Sequence, residues 1–360
     1  MKERIAVGMS GGVDSAVAAL LLARAGCDVT GVTMLIYSGG PRGAAHGRSG
    51  SCYGPEEEEE AKEAAAACAL LGIPHRTVDL RAAYRSLVLD PMRREYLAGR
   101  TPNPCIRCNR FLKFGLLFDE WTREAAGPFD AMATGHYARI VRFPGGTSFR
   151  LRKAADPGRD QSYFLCLLGR EQLERALFPL GDLAKETVRA LAREAGFPVH
   201  DKPDSQDFAA GGYRALLSAP PADGPVKDGA GRILGRHRGV WDYTVGQRRG
   251  LGVSGTRPLY VTRIDAASNT VFVGPGEDLM RRGLVASGVQ WSGTAPAGGV
   301  RLHVRVRSRH AEAPALVTPL PDGKARVEFD EPQRGIAPGQ WAVFYDGDLV
   351  EGCGIIDRVP

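Results

Sequence analysis

Apolar positions in the first third of the chain fall in short continuous runs, separated by segments with helical spacing. Residues 4–8 and 29–36 each read as a buried strand, with a helix at 14–25 between them. An Ala-rich stretch at 60–72 has helical spacing and follows an acidic run at 56–60; further strands are expected near 75–78 and 131–133. Continuous apolar strands alternating with helices predict a parallel sheet covered on both faces. Another helix is expected at 186–195. From about residue 259 the pattern changes to short alternating strands, at 260–264, 270–273, 302–306, 325–329 and 341–345, which predicts a small all-β module closed as a barrel. Glycine-rich passages at 211–212 and 223–231 mark boundaries. The expected division is an α/β domain over 1–210, a small central domain over 211–275 and a β-barrel over 276–360.

Composition narrows the class without naming a function. The 360 residues suffice for two or three domains with cores of their own. The chain is 43% hydrophobic and 24% charged, no apolar run approaches membrane-spanning length, and the start lacks a signal-peptide pattern. A cytoplasmic protein with no membrane partner is expected. Seven cysteines, an odd number, suit a reducing compartment better than a disulfide framework. The net charge of +6 mildly favours a polyanionic partner.

The first chemistry lies where the first strand ends. Gly8-Met9-Ser10-Gly11-Gly12-Val13-Asp14-Ser15 reads as strand, glycine turn and helix start. The glycines let backbone approach a ligand, the serines add hydroxyls, and the helix start offers N–H groups and positive dipole density. Such a loop suits pyrophosphate. The ending of a Walker loop is absent. Ligands of a parallel sheet bind at the carboxyl ends of its strands. Met34, at the end of the second strand, is placed to meet an adenine ring or to fill the core. Asp14 is a candidate Mg²⁺ ligand. The acidic run at 56–60 reads as a solvated helix start. Residues 38–55 read as a long loop carrying Cys52 among turn formers, whereas Cys27, Cys68 and Cys166 fall in apolar patterns that suit a core.

The second chemistry is Asn103-Pro104-Cys105-Ile106-Arg107-Cys108-Asn109. Two prolines force an extended approach, and Cys105 and Cys108 stand near Arg107, Arg110 and Lys113, cations expected to lower thiol pKa values. A CxxC pair can be redox-active, half of a zinc site or a nucleophile. Ala133-Thr134-Gly135-His136-Tyr137 follows a strand directly. In Arg159-Asp160-Gln161, the arginine suits a phosphate and the glutamine a base edge. Residues 241–252 form a basic glycine loop with Arg248 and Arg249 beside aromatics. Arg305, Arg307, Arg309 and His310 are expected as alternating cations on one strand, an RNA-facing strip.

Taken in this order, these motifs resemble the bacterial tRNA-specific 2-thiouridylases, from the first strand to Gly335-Ile336-Ala337-Pro338-Gly339-Gln340. The resemblance implies a PP-loop ATP pyrophosphatase domain (of the adenine nucleotide alpha hydrolase type), a small central domain and a C-terminal β-barrel. It implies ATP, Mg²⁺, a sulfur donor such as a cysteine desulfurase or relay protein, and tRNAs for Lys, Glu and Gln whose wobble uridine is thiolated. Gly8, Met9, Ser10, Gly11, Gly12, Val13, Asp14 and Ser15 would hold ATP, with Met34 and Gly135 near the nucleotide. Cys108 matches the nucleophile. Asn103, Pro104 and Cys105 would lie beside the target base, and His136, Arg159, Asp160, Gln161, Arg307, Ser308 and Gln340 match tRNA contacts. Arg248, Arg249 and Arg309 join them from their charge.

One departure matters. Ala209 stands where many members carry a second catalytic cysteine, and Cys105 stands where many have Asp. The chain instead resembles a variant with three loop cysteines, Cys52, Cys105 and Cys108. Three schemes follow: a persulfide relay among these thiols, three ligands of a [4Fe–4S] cluster with one open iron, or zinc with a remote fourth ligand. The rival classes are a PP-loop ligase or amidotransferase acting on a small metabolite, and a non-enzymatic RNA-binding module.

Overall fold

The computed structural model describes residues 2–39, 51–119, 128–143, 149–201, 207–209, 212–217, 220, 222–253 and 255–360. The Asp204-Ser205 segment and most of the loop expected at 38–55 lie outside the described residues.

The chain opens with β1 (Arg4–Gly8), α1 (Val13–Arg24), β2 (Asp28–Leu35), β3 (Ser51–Tyr53), α2 (Glu57–Leu71) and β4 (His75–Asp79). Then come α3 (Arg81–Tyr84), a π-helical turn at Arg85–Leu89, α4 (Asp90–Leu97), α5 (Pro104–Arg107) and a π-helical segment at Cys108–Leu116. β5 (Ala131–Thr134), the hairpin of β6 (Arg139–Arg142) and β7 (Phe149–Arg152), β8 (Ala176–Leu177) and β9 (Asp207–Ala209) complete this half. A five-stranded parallel sheet runs in the order β4-β2-β1-β5-β8. β1 is central, and Ile5, Ala6 and Val7 are fully buried, which is why its sequence reads as an unbroken apolar run. The order reverses around β1, with β2 on one side and β5 on the other. The loop after β1 therefore opens at the switch point, where such sheets bind ligands.

α1 covers the sheet through Val13, Ala16, Val17 and Leu20, joined by Cys68 of α2 and Val188 of the helix Lys185–Glu194. α2 starts on four glutamates that complement its dipole and ends at Gly72 in the left-handed conformation. It packs so closely on β2 that a Cβ on Gly31 would lie 2.4 Å from Cys68 Sγ. Cys68 and Cys166 are buried, as their patterns suggest, and Cys27 is half-buried.

The later strands divide between two sheets. β10 (Gly224–Lys227), β11 (Ile233–His237), β12 (Tyr260–Asp265) and β13 (Thr270–Gly274) form a separate sheet in the order β11-β10-β13-β12, with Val226, Val261, Val271 and Val273 in its core. β12 and β13, which share the alternating pattern of the barrel strands, pair with the strands of this sheet; alternation shows that a strand is half-buried, not which sheet receives it. The barrel consists of β14 (Met280–Trp291), β15 (Val300–Arg305), β16 (Ala313–Leu320), β17 (Lys324–Arg334), β18 (Trp341–Asp346) and β19 (Leu349–Arg358). It closes because β14 pairs with both β17 and β19. Val304, Ala315, Val317, Val327 and Phe344 fill it.

The chain forms two compact units. One comprises Met1–Val88, Pro104–Ala215 and Asp348–Val350; the other comprises Leu89–Asn103, Leu216–Gly347 and Glu351–Pro360. The segment Leu89–Asn103, which precedes the cysteine motif, therefore belongs with the C-terminal unit. No helix among the described residues is long and apolar enough to cross a membrane.

Candidate active site

The glycine loop is braced from within. Ser15 Oγ donates to Gly12 O at 3.0 Å, and Ser10 N donates to Ser15 Oγ at 3.2 Å. Ser15, Met9 and Val13 are buried, so their side chains shape the loop instead of lining its mouth; Ser10 is exposed and Gly12 half-buried. Gly11 has φ +69°, and a Cβ there would sit 2.5 Å from Glu60 O on α2, so only glycine fits. α1 begins without a side-chain cap at Gly12, the form of helix start that suits an anion. From the sheet, Met9 N donates to Val32 O, and Thr33 Oγ1 donates to Met9 O at 3.0 Å. With the Thr33 proton so engaged, the 2.8 Å contact between Thr33 Oγ1 and His75 Nε2 makes that nitrogen the donor. Burial holds the His75 pKa below its usual value, consistent with a neutral ring. Met34 is half-buried at the end of β2.

Asp14 was expected to meet Mg²⁺; the fold gives it another cation. Lys185 Nζ lies 2.8 and 2.9 Å from its two carboxylate oxygens, and Tyr137 Oη donates to Oδ1 at 2.8 Å. The Lys185 side chain is only 3% exposed. As placed, Asp14 does not fit as a metal ligand, because a buried ammonium already neutralises it. Gly135 acts through the absence of a side chain: a Cβ there would lie 2.6 Å from Asp14 C and 2.7 Å from Ser15 N. The end of β5 therefore presses on the first turn of α1.

Cys52, Cys105 and Cys108 lie in the N-terminal unit, near enough for Cys52 to raise the pKa of both other thiols. α5 runs into the π-helical segment, which puts Cys105 and Cys108 about one turn apart on the same side. Cys52 arrives on β3, a strand absent from the sequence expectation, which pairs with β9. In that register Tyr53 faces Ala209, so Cys52 stands one residue from the position opposite the alanine that replaces the family cysteine. The thiols are close enough to feel one another. Burial pushes Cys105 up to about 12, with Cys52 and Cys108 adding and Lys113 opposing. Burial pushes Cys108 up to about 11, with Lys113 opposing and Cys52 adding. Cys52 is exposed, yet the protein around it also raises its pKa, against Lys113 and with Glu60.

This corrects the expectation that flanking cations would make these cysteines thiolates. Arg107 donates to Leu87 O and lies over the Phe111 ring, and Arg110 bonds Gln172. Lys113 lowers the pKa of all three thiols, and desolvation outweighs it. His136, with Nδ1 2.8 Å from Thr134 Oγ1, is driven well below its usual pKa by burial and by Lys113. Gln172 Nε2 steadies the π-helical segment by donating to Arg110 O and Phe114 O, both at 2.7 Å. An aromatic wall stands beside the thiols: Tyr84 stacks on Tyr53 at 5.4 Å, and Tyr53 meets Tyr37 and Phe208. Among the described residues no group of three His, Cys, Asp or Glu is arranged to hold a metal ion. The thiols are thus not a preformed cluster site.

The expected RNA contacts separate into exposed and engaged residues. Arg159, Arg248, Arg249 and Arg309 are exposed, and Ser308 and Asn103 half-buried. Asp160 accepts from Ser162 N and Oγ and from Ala154 N, and Gln161 exchanges hydrogen bonds with the Tyr137 backbone. Both brace the local chain. Pro104 is buried at the start of α5. Gln340 Nε2 donates to Thr101 O. Arg307 Nη2 donates to Val245 O at 2.7 Å, tying the basic loop to the barrel. Arg305 lies in β15 and pairs with Glu312 at 2.6 Å, while residues 307–310 form a turn. The expected strand of alternating cations is therefore a turn next to a tethered loop.

Several residues that build the site carry no clear signal in the sequence. Glu57 is not a solvated helix start: its Oε1 accepts from Ile36 N and Tyr37 N at 2.6 and 2.7 Å. Lys185, Tyr84 and Tyr137 lie in patterns that look like ordinary helix or strand surface. Asn109, directly after Cys108, donates to Phe164 O, while its buried Oδ1 has no hydrogen-bond partner.

Comparison with known proteins matches the chain in three parts. A model described as the tRNA methyl transferase HUP domain matches residues 3–209, a tRNA methyl transferase PRC-barrel domain matches 217–275, and an aminomethyltransferase β-barrel domain matches 281–356. The tRNA-specific 2-thiouridylase MnmA of Endomicrobium trichonymphae is 43% identical, covering 98% of each chain. The proteins of that name from Syntrophotalea carbinolica and Chloroflexus aggregans are each 45% identical, covering 99% and 98% of this chain and 100% and 98% of their own. With such identity over nearly full length, the chain belongs to the tRNA-specific 2-thiouridylase family.

Proposed function

We propose that the chain catalyses ATP-dependent 2-thiolation of the wobble uridine, position 34, of tRNA through an adenylated base. The observation that carries this reading is the glycine loop at the switch point of the parallel sheet, in the same unit as Cys52, Cys105 and Cys108. The uracil C2 oxygen is a poor leaving group. Its attack on the α-phosphorus of ATP forms an O–P bond and expels pyrophosphate, so that the oxygen later departs within AMP. The loop from Gly8 to Ser15 contributes backbone N–H groups and the α1 dipole to the phosphates. Mg²⁺, when bound with ATP, neutralises phosphate charge. Asp14, locked to Lys185, holds the helix start in place.

Sulfur enters at Cys52, the exposed thiol. Its thiolate attacks the sulfane sulfur of a donor persulfide, from a cysteine desulfurase or relay protein, and the donor thiol leaves. The terminal sulfur of the Cys52 persulfide then attacks C2 and AMP departs. Cys108 attacks the Cys52 sulfur, which releases 2-thiouridine and leaves a Cys52–Cys108 disulfide. A dithiol reductant restores both thiols, accounting for the two electrons taken up by the sulfane sulfur; Cys105 is placed to exchange with Cys108. Because the three cysteines are not arranged as a metal site, no step is assigned to a cluster. Exposed Arg248, Arg249, Arg309 and Arg159 meet tRNA phosphates, with the tRNAs for Lys, Glu and Gln as the family's substrates. The base must leave its stack to react.

The test uses α-labelled ATP, unmodified tRNA and a persulfide donor. AMP, pyrophosphate and 2-thiouridine are expected. Release of ADP, or ATP turnover that ignores tRNA, would instead place the chain with ligases that act on small metabolites. Cys52→Ala should stop thiolation while pyrophosphate release continues; full thiolation by that variant ends the Cys52 route.

A further inference from the structure

Within the C-terminal unit, the basic loop that follows Tyr243 is tied down at both ends. Thr244 to Gln247 closes as a tight turn, with Gln247 N donating to Thr244 O at 3.0 Å. Gly246 has φ +90°, the left-handed conformation that a type II turn requires at its third residue. The turn is fastened to β12: Gly246 N donates to Val261 O at 2.8 Å, and Val261 N donates to Gln247 O at 2.9 Å. Val261 is fully buried in the core of that sheet. At the far end Leu251 is buried in the same core. Between these anchors Arg248, Arg249 and Gly250 stand exposed as a tip of three residues.

The Gln247 side chain joins the turn to the tip. Its Oε1 accepts from Thr244 N at 3.1 Å, and its Nε2 donates to Arg249 O at 3.0 Å. An amide can accept and donate at once, whereas a carboxylate could only accept and an ammonium only donate. Gly250 at φ +74° then turns the chain back toward Leu251. A Cβ on Gly250 would lie 3.8 Å from Gln247 Nε2, an ordinary contact, so conformation and not space selects glycine there. A tip anchored at both ends and bonded in its middle has little freedom left to lose when an anion arrives.

We infer that Gln247 is a positioning residue for tRNA capture: its amide holds the tip that presents Arg248 and Arg249, so that these arginines meet backbone phosphates on a loop that is already folded. Gln247 acts through the tip and not on the RNA. Phosphate contacts fix how a nucleic acid sits on a protein, and a contact loop ordered in advance does not lose its freedom at the moment of binding. The inference rests on the reading above, in which the exposed arginines meet tRNA.

The experiment compares Gln247→Met, Gly250→Ala, the pair Arg248→Ala/Arg249→Ala and the triple variant Gln247→Met/Arg248→Ala/Arg249→Ala with the wild-type chain. Filter binding gives tRNA Kd for each, beside the thermal midpoint and thiolation kcat at saturating tRNA. Met keeps the length of Gln247 and removes both hydrogen bonds. Gln247→Met is expected to weaken Kd roughly three- to tenfold, because the tip must then be ordered on binding. Its kcat should hold. Gly250→Ala leaves Gln247 and its partners in place but opposes the positive φ, and should show the same loss confined to Kd. With both arginines gone, Gln247→Met should cost little more, since it works through them. Wild-type Kd in folded Gln247→Met overturns the inference, and so does an undiminished cost of Gln247→Met in the triple variant, which would make Gln247 an RNA contact itself. If Gln247→Met does not fold, wild-type Kd in Gly250→Ala overturns it. A wild-type chain that binds tRNA but forms no 2-thiouridine would overturn the thiolation reading alone, and the Kd values would still decide this inference; a wild-type chain that does not bind tRNA would overturn both.

Discussion

Cations do opposite work in the two units. In the N-terminal unit Lys185 is buried on Asp14, and Lys113 is half-buried among three thiols and a histidine whose pKa values it shifts. In the C-terminal unit Arg248, Arg249 and Arg309 stand in solvent, and the Arg307 guanidinium grips Val245 O in the loop that carries the first two. A buried charge acts on one or two groups over a few ångströms in a poorly screening medium. An exposed charge acts on any anion that comes near and weakens with salt. The first arrangement suits chemistry at a chosen atom; the second suits capture of a polyanion.

The comparison breaks most sharply at the thiols. Cys108→Ser should abolish 2-thiouridine formation, a loss of roughly 10³-fold or more for a nucleophile that acts in the release step. Nucleoside analysis of the product tRNA measures it. Filter binding of tRNA should stay near the wild-type level, and a parallel fall in binding would show that the two units' roles are not separable in this way.

The next effect concerns Lys185. Lys185→Met leaves Asp14 without its ammonium. Breaking a buried pair costs about 3–5 kcal/mol, and the 29% exposure of the Asp14 side chain lowers the expectation to roughly 2–3 kcal/mol. Urea unfolding followed by circular dichroism reads this directly. Asp14→Asn combined with Lys185→Met should regain part of the loss, because no uncompensated charge remains; a double variant worse than the sum would contradict the pairing.

On the exposed side, Arg248→Ala with Arg249→Ala should weaken tRNA binding and make its salt dependence shallower by about 0.7–0.9 for each phosphate that is no longer neutralised. kcat at saturating tRNA should hold. Arg307→Ala should give a smaller loss, since it loosens the loop that presents these arginines. A slope identical to wild type in the double variant would remove this loop from the RNA interface.

The mildest effect is a pH dependence of stability in the N-terminal unit. His136 and His75 have folded pKa values below the ordinary 6.5. Above that value both the folded and unfolded forms are neutral and stability is full. As pH falls below it, the unfolded chain takes up protons that the native fold refuses, and stability declines until the native rings protonate. Cys105 works at the other end. Its folded pKa is raised from 9.0 to about 12, so stability is full below pH 9 and declines as pH rises toward 12. Thermal midpoints at pH 5, 7 and 10 should therefore peak near neutrality, and His136→Gln should flatten the acid side.

Much of this was already legible in the linear sequence. The apolar run of β1, the glycine loop and the shift to alternating strands placed the parallel sheet, the turn at its switch point and the barrel. These features depend on residues adjacent in sequence, where periodicity and glycine geometry act locally. The tertiary structure alone decided the rest. Lys185 reaches Asp14 across 171 positions. β3, which carries Cys52, finds its partner in β9, far along the chain. The cations next to the CxxC pair looked decisive in sequence, yet Arg107 and Arg110 bond elsewhere and burial raises the thiol pKa values. Residues 89–103 read as part of the first domain and fold with the second. Sequence neighbours determine which element forms. Desolvation and long-range pairing determine which charges meet, and those are set only when the chain closes on itself.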